Sequence, residues 1–202
     1  INDVELINKE YVESSDTIGK MCMPEQNQDS IKIAITASKK IRDKIKVTDI
    51  SAVADLQQAV SLDTNPVMVP ITVTCSVPGV SSNDIKVTPQ NLSVNLDEKE
   101  TQEFVVNVSR GDTKPGKDYE VGSLTANPEK VRITGPKTLV NKIDKVNASI
   151  DVDGATEDIT TEKDVKIIDK NGEEFTDSDM GYLNVSRVYV TAKLWKVQAN
   201  VK

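Results

Sequence analysis

The chain has 202 residues and a formal net charge of -7, and only 3% of its residues are aromatic. The acidic balance disfavours nucleic acid and anionic lipid as partners, since both would need clustered lysine and arginine. No run approaches the ~20 apolar residues that a membrane-spanning helix needs, and no signal peptide is recognisable. Because aromatic residues are so few, the core must be built from valine, isoleucine and leucine, which favour half-buried strands.

The first elements follow a strand–strand–helix–strand order. Alternating apolar residues predict a strand near residues 4–6 and a second strand at residues 31–35. Ile41 and Ile45 lie four residues apart, which predicts one apolar edge of a short helix. Strict alternation then returns over residues 50–56 and predicts a third strand.

Residues 67–77 carry an apolar residue at every odd position, which predicts a long strand with Cys75 on its core face. Alternation at residues 85–87 and 92–96 predicts two further strands. Cys22 and Cys75 are too few for a disulfide scaffold, and we expect both to be free thiols.

A segment of the chain occurs twice, because residues 131–152 repeat the pattern of residues 33–56 with a two-residue deletion. The aligned pairs are Ile33 with Val131, Ile35 with Ile133, Ile41 with Leu139, Ile45 with Ile143, Ile50 with Val146, Ala52 with Ala148, Asp55 with Asp151 and Leu56 with Val152. A period of roughly 100 residues predicts tandem domains that each bury a core of their own.

The second copy is predicted to use the same elements. Residues 104–108 form its opening strand, and Gly135-Pro136 marks the start of a short helix on which Leu139 and Ile143 face the sheet. Residues 165–176 predict a hairpin, since Asn171-Gly172 is typical of a tight turn. Further on, Val188, Val190 and Ala192 align with Leu92, Val94 and Leu96.

These patterns together predict a mostly β fold of two tandem domains, each with one short helix. The boundary is expected near Leu96–Thr101, where Asp97–Glu100 forms a charged turn, and it separates domain 1, residues 1–98, from domain 2, residues 99–202. Residues 195–202 resemble the opening strand of a repeat and could begin a third copy.

The residues that could carry chemistry give weak signals. The chain has no histidine, the commonest general base and a frequent metal ligand. Asp55, Asp151 and Asp153 recur at equivalent or adjacent positions, where aspartate usually stabilises turns. Residues 169–174 suggest a calcium loop, but their glycine comes too early and the distal glutamate is missing, which favours the hairpin. Gly135-Pro136 lacks the glycine run and lysine of a phosphate-binding loop.

The second copy resembles the YbbR domain. The residues that carry the resemblance are Pro128, Val131, Ile133, Gly135 and Pro136, followed by Ile143, Val146, Ala148, Ile150, Asp151 and Val152. Asp169–Gly172 and the strand Val188-Tyr-Val190 also fit the family. The first copy fits more loosely, with Ala37-Ser38 in place of Gly135-Pro136.

This resemblance implies an extracytoplasmic region of a bacterial membrane protein, mainly of Gram-positive lineages, anchored by one transmembrane helix that would precede Ile1. It implies a membrane-bound diadenylate cyclase, which makes cyclic di-AMP, as the partner under regulation. It supplies no catalytic residues, metal or cofactor, and a non-enzyme is expected. Membrane contact would be made only through the helix outside this chain.

Two other hypotheses remain open at the level of sequence. The chain could be a surface adhesin or a spacer, in which the repeats set the distance from the membrane and carry no signal. An enzyme is the third hypothesis, and it rests only on acidic residues such as Asp151 and Asp153.

Overall fold

Alternating apolar residues form strands along most of the chain in the computed structural model, which describes residues 4–23 and 30–197. The fold is mostly β, as predicted, and its helices are single turns. The chain divides into two compact units, Ile1–Lys99 and Glu100–Lys202, and each unit is described below by itself.

Among its described residues, the first unit contains nine strands or short α-helices and the start of a tenth element. In chain order they are β1 (Glu5–Ile7), α1 (Glu10–Glu13), β2 (Lys20–Cys22), β3 (Lys32–Ile35), α2 (Lys39–Arg42), β4 (Ile50–Asp55), β5 (Val67–Cys75), β6 (Ile85–Thr88), β7 (Asn91–Val94) and the beginning of β8 (Leu96–Ser109). Single 3-10 turns lie at Val47–Asp49, Leu56–Gln58 and Ser82–Asp84.

The main sheet of the first unit has the order β1-β4-β5-β7, in which β1 runs parallel to β4 and the other neighbours are antiparallel. Strand β3 pairs with β6, and β2 pairs with the start of β8. Along β5 the odd residues from Val67 to Val73 are buried, as the alternation predicts. These side chains form one core with Val4, Val12, Cys22, Ile31, Ala52, Ala54, Leu56, Leu92, Val94 and Leu96.

The charged turn predicted at Asp97–Glu100 is wrong, because β8 continues through these residues as one strand. The backbone of this charged stretch has strand partners: Leu96, Asp97 and Glu98 pair with Cys22, Met21 and Lys20. The Lys99 N–H also donates to the Gly19 carbonyl at 2.8 Å. Charged side chains are compatible with a strand whose outer face meets water. The two units meet within this strand, between Lys99 and Glu100.

The second unit follows a related order. Its elements are the remainder of β8, β9 (Tyr119–Asn127), β10 (Lys130–Pro136), α3 (Lys137–Val140), β11 (Ile143–Ser149), β12 (Ile159–Lys163), β13 (Lys166–Asp169), α4 (Asp177–Met180) and β14 (Val188–Lys196). One sheet has the order β10-β8-β11-β13, with β8 parallel to β11, and a three-stranded antiparallel sheet has the order β12-β14-β9.

The predicted hairpin at residues 165–176 is confirmed. Ile168 bridges Glu174, and the Gly172 N–H donates to the Asp169 carbonyl at 3.0 Å. Gly172 has φ +85, a left-handed conformation that glycine adopts without steric cost.

Both predicted helices are shorter than the sequence indicates. α3 ends at Val140, so Ile143 lies in β11, where it is nevertheless buried. α2 ends at Arg42, so Ile45 also lies outside its helix, and both Ile41 and Ile45 are half-buried. The four-residue spacing therefore spans a single helical turn and a residue beyond the end of the helix.

The two units share three features of backbone pairing. In each, the opening strand runs parallel to the strand after the short helix, as β1 with β4 and β8 with β11. The Thr36 N–H donates to the Asp84 carbonyl at 2.9 Å, and the Thr134 N–H donates to the Asn184 carbonyl at 3.1 Å. In the first unit β2 runs antiparallel to the start of β8, and in the second unit β9 runs antiparallel to β14.

The pairings correct one part of the sequence alignment by two residues. Leu96 pairs with Cys22, and its N–H donates to the Asn65 side chain at 3.3 Å. Leu194 pairs with Val121, and its N–H donates to the Asp158 side chain at 2.8 Å. Leu96 therefore corresponds to Leu194 and not to Ala192. Since the shift is two residues, every side chain keeps its predicted face.

Trp195 and Lys196 end β14, and residues 198–202 lie outside the described residues. The opening strand of a third copy, expected at residues 195–202, therefore stays a prediction. The core of the second unit is formed by Val106, Val131, Ile133, Leu139, Val140, Ile143, Val146, Ala148, Ile150, Val152, Val165, Ile167, Phe175, Leu183, Val188, Val190 and Ala192.

Candidate functional site

The aspartates singled out in the sequence are used in turns. Asp55 accepts hydrogen bonds from the Gln57 N–H at 3.0 Å and from the Asn8 amide at 2.8 Å. Asp151 accepts one from the Asp153 N–H at 2.8 Å. Within residues 4–23 and 30–197, no group of three or more cysteine, aspartate or glutamate side chains is arranged to hold a metal ion.

Residues 169–174 form the hairpin turn and do not form a calcium loop. The Asp169 carboxylate accepts from the N–H groups of Asn171 at 2.8 Å and Glu173 at 2.9 Å. Glu174 points to the neighbouring strand, where its carboxylate lies 3.0 Å from the Lys166 ammonium group. These acidic side chains therefore already have partners within the hairpin.

Gly135 lies at a close packing contact. A Cβ at this position would lie 2.4 Å from Cδ2 of Leu183 and 3.3 Å from the Tyr182 carbonyl oxygen. A side chain at this position would force the end of the Leu183 side chain to move, so glycine allows the end of β10 to approach the segment that contains Leu183. The glycine before the helix thus has a structural explanation that involves no phosphate.

The two cysteines are free thiols in the structure, as expected. Cys22 is buried, and burial together with the neighbouring Glu13 carboxylate raises the pKa of its thiol to about 12. Because the thiolate is the reactive form, Cys22 is a poor nucleophile at neutral pH. Cys75 is half-buried at the end of β5. It lies on the predicted side of the strand.

A groove of about 440 Å³ opens beside the hairpin of the second unit. Its lining includes Val165, Ile167 and Phe175 at the base and Arg187 at the rim. The Arg187 guanidinium group pairs with Glu162 at 3.1 Å and with Asp164 at 2.8 Å. The groove offers shape and charge for contact, and its described lining contains no nucleophile paired with a base.

A wider groove of about 780 Å³ follows the loop before β9 and the first half of that strand, residues 110–124. The loop is tied to the turn after β11: the Gly116 N–H donates to the Ala155 carbonyl at 2.7 Å, and the Gly154 N–H donates to the Lys114 carbonyl at 2.9 Å. Its charged lining residues are Arg110, Lys114 and Lys117, followed by Asp118 and Glu120. This groove also has the character of a contact surface.

The exposed Trp195 was not among the candidate residues predicted from the sequence. Its side chain is 69% exposed on β14, and it covers Gly122 of β9. A signal was present, because Trp195 falls on the outward positions of a strand whose inward positions are Val188, Val190 and Ala192.

Among the residues that the structure describes, no helix has the length and apolar character needed to cross a bilayer.

Comparison with known proteins gives a match within the second unit. The family model described as YbbR-like protein matches residues 105–192. Over 89 residues, the chain is 33% identical to the protein named CdaA regulatory protein CdaR from Bacillus subtilis (strain 168). The match covers 44% of this chain and spans 18% of the length of that relative.

Two solved structures show weaker likeness. A crystal structure of a YbbR-like protein from Streptococcus pneumoniae TIGR4 has a TM-score of 0.47 and 16% identity, covering 86% of this chain and 90% of that chain. A solution structure of SuR18C from Streptococcus thermophilus has a TM-score of 0.35 and 19% identity, covering 52% and 92%. Since both TM-scores are below 0.5, the likeness to the YbbR-like family depends on the sequence matches. Residues 105–192 are therefore similar to a YbbR-like domain.

Proposed function

We propose that this chain is a non-catalytic, extracytoplasmic interaction region of a membrane-anchored regulator of a diadenylate cyclase. The observation that carries the proposal is the 33% identity over 89 residues to a protein named as the regulator of CdaA. The partner would be the membrane-bound cyclase, as the YbbR resemblance implies.

The described side chains support a binding role over a chemical one. The carboxylates of Asp55, Asp151 and Asp169 are used by backbone N–H groups of their own turns, and the thiol of Cys22 is buried and protonated. General acid–base or nucleophilic catalysis needs a group that is both accessible and suitably protonated. The grooves of the second unit instead present mixed charge on rigid strands.

The repeated backbone pairings support the view that both units are copies of one YbbR-like module, residues 1–98 and 99–202. Regulation by such modules requires a ligand or surface that distinguishes two states of the regulator, because only a difference in binding free energy shifts an equilibrium. We infer that contact made by these units is transmitted through the anchoring helix to the cyclase.

The test is a replacement of residues 1–202 within the protein that carries them. Three strains would be compared: wild type, one lacking residues 1–202, and one in which two unrelated β-rich domains of similar length replace them. Regulation predicts that cellular cyclic di-AMP changes in both altered strains. A change in the deletion strain that the unrelated domains restore would support a spacer, and unchanged cyclic di-AMP in both would reject the regulatory proposal.

Two biochemical measurements complete the test. The purified chain, incubated with ATP or with cyclic di-AMP, should leave both nucleotides unchanged, and turnover of either would contradict the non-catalytic proposal. The protein that carries this chain, purified from membranes in mild detergent, should retain the cyclase. Loss of the cyclase from that preparation, with cyclic di-AMP unaffected in the deletion strain, would exclude the proposed partner.

A further inference from the structure

The outward face of the sheet β12-β14-β9 carries two strongly exposed aromatic side chains. Tyr189 is 54% exposed and Trp195 is 69% exposed. Both lie on β14, six residues apart, and so project from the same face. At the rise of an extended strand their backbones are ~20 Å apart.

The side chain of Trp195 packs on a glycine of the neighbouring strand β9. Leu194 pairs with Val121 and Lys193 pairs with Ser123, which leaves Gly122 as an extra residue in β9. A Cβ on Gly122 would lie 2.6 to 3.0 Å from three adjacent atoms of the indole ring. One face of the indole therefore covers the glycine backbone, and the other face meets solvent.

Polar side chains separate the two aromatic rings. Thr160, Thr191 and Thr125 stand side by side on the three strands, and the hydroxyls of Thr160 and Thr191 lie 3.0 Å apart. Lys193 is held by Asp158 at 2.7 Å. The outward positions between the rings thus present hydroxyl and ammonium groups and no aliphatic side chain.

The first unit shows that the fold does not need these rings. With Leu96 equivalent to Leu194, the outward residues at the positions of Tyr189, Thr191 and Trp195 are Asn91, Ser93 and Asp97. The same antiparallel pairing is built there from polar residues. Exposed aromatic rings that the scaffold can do without indicate a binding role.

We propose that this face binds a neutral glycan chain, with a pyranose ring stacked on the exposed face of Trp195. A sugar ring has one face of C–H groups, which suits the negative face of an indole, and a rim of hydroxyls, which suits the threonine row. The centre of a protein interface is apolar and desolvated, whereas the centre of this face is polar.

The charge of the chain decides between neutral and acidic glycans. The net charge is -7, and near this face Lys193 is already paired with Asp158 and Arg187 with Glu162 and Asp164. These ion pairs leave the centre of the face close to neutral, which favours a neutral glycan over an acidic one. The inference goes beyond the proposed function and is independent of it, since binding can be measured on the chain alone.

Trp195 provides the measurement, because it is the only tryptophan in the chain. The 202-residue chain would be titrated with β-1,4-linked N-acetylglucosamine oligomers and with cello-oligosaccharides, and the fluorescence of Trp195 followed. A saturable shift with either series is expected. No saturable shift with either series up to millimolar sugar would overturn the proposal, as would a shift that follows protein concentration without sugar.

Variants then locate the site by calorimetry or amide chemical shifts. Trp195→Ala should weaken binding of the hexamer by about 10-fold or more, as truncation of an aromatic hot spot does. Tyr11→Ala, which removes an exposed aromatic side chain of the first unit, should leave binding unchanged. Tyr189→Ala should weaken the hexamer but spare the disaccharide, which is too short to reach both rings. Equal binding by wild type and Trp195→Ala, with the fold intact, would overturn the proposal.

Discussion

The two units build the same backbone pairings with different packing around the short helix. In the second unit Leu139 of α3 is buried, at 4% exposure, and Gly135 allows close approach of Leu183. In the first unit the corresponding Ile41 is half-buried and Ala37 stands in the place of Gly135. Strand pairing therefore does not depend on a tightly packed helix. The match to the YbbR-like family falls within the unit that has this tight packing.

Each unit has a glycine where its short helix packs. In the second unit this glycine precedes the helix, and in the first unit it lies in a loop that faces the helix. Gly135 precedes α3 in the chain and makes room for Leu183. In the first unit Gly79 lies in the loop after β5 and faces Ile41. A Cβ on Gly79 would lie 2.8 Å from Cδ1 of Ile41. The space beside the helix is therefore supplied by a glycine before the helix in the second unit and by a glycine in the facing loop in the first.

The largest expected effect tests this difference directly. Leu139→Ala should destabilise the second unit by about 2–4 kcal/mol, because it leaves a cavity in a closed core. Ile41→Ala should cost the first unit roughly half as much or less, since its side chain is already partly in water. Amide hydrogen exchange, which reports each unit separately, measures both. Lys142→Ala is the control and should cost little. Equal losses for Leu139→Ala and Ile41→Ala would show that the two helices are packed alike.

The next effect concerns the glycine. Gly135→Ala should destabilise the second unit by about 1–3 kcal/mol, as overpacking does, because Leu183 must move. The reverse change in the first unit, Ala37→Gly, should cost less than about 1 kcal/mol, since it only adds backbone freedom. Thermal unfolding of the two variants measures the contrast. A mild Gly135→Ala together with a costly Ala37→Gly would reverse the proposed difference between the units.

Much of this architecture follows from the period of the apolar residues. Alternation along residues 67–73 and the Asn171-Gly172 turn predicted a strand and a hairpin that the structure confirms, because both depend on neighbouring residues alone. The length of the helices was not predictable. A spacing of four, as in Leu139 and Ile143, suits a helix and equally a single turn that leads into a strand.

The errors arose where a partner strand decides the conformation. Asp97–Glu100 looks like a turn because four charged residues follow one another, yet β2 pairs with this stretch and holds it extended. The exposure of Trp195 likewise depends on Gly122, which lies more than seventy residues earlier in the chain. Such long-range pairing leaves no local pattern, and so the sequence could not indicate the continuous strand or the packing of Trp195 on Gly122, although the alternation along β14 does place Trp195 on the outward face.

A smaller effect is expected at Cys22, whose counterpart in the second unit is Val121. Cys22 pairs with Leu96 as Val121 pairs with Leu194, so Cys22→Val should cost less than about 1.5 kcal/mol at pH 8. The folded state raises the pKa of the Cys22 thiol to about 12. The stability from its neutral form is therefore complete below the ordinary thiol pKa and is lost as pH rises towards 12.

The measurement is the unfolding midpoint of the first unit between pH 8 and pH 11. The wild type should lose more stability over this range than Cys22→Val, which has no thiol to ionise at that position. Cys75→Val serves as the control, because Cys75 is half-buried at a strand end and its replacement should leave the pH dependence in place. If Cys22→Val and the wild type fell in parallel, the thiol would not be the group responsible.

The smallest expected effect comes from the side chains that bind the N–H groups of Leu96 and Leu194. Asn65 does so in the first unit and Asp158 in the second, so Asp158→Asn keeps an acceptor oxygen and makes the second unit resemble the first. It removes the ion pair with Lys193, which, together with the Leu194 N–H, holds the pKa of the Asp158 carboxyl below its usual value. Stability from this depressed pKa is present above the ordinary pKa of aspartate and is lost as pH falls through the folded-state value.

We expect the wild type to have a slightly higher thermal midpoint than Asp158→Asn at pH 7. The two midpoints should converge near pH 2 or in high salt, which screens exposed ion pairs. Asp158→Ala, which also leaves the Leu194 N–H without its acceptor, should be the less stable variant at both pH values. If Asp158→Asn matched Asp158→Ala at pH 7, the charge and not the acceptor would be what Leu194 requires, and the equivalence with Asn65 would fail.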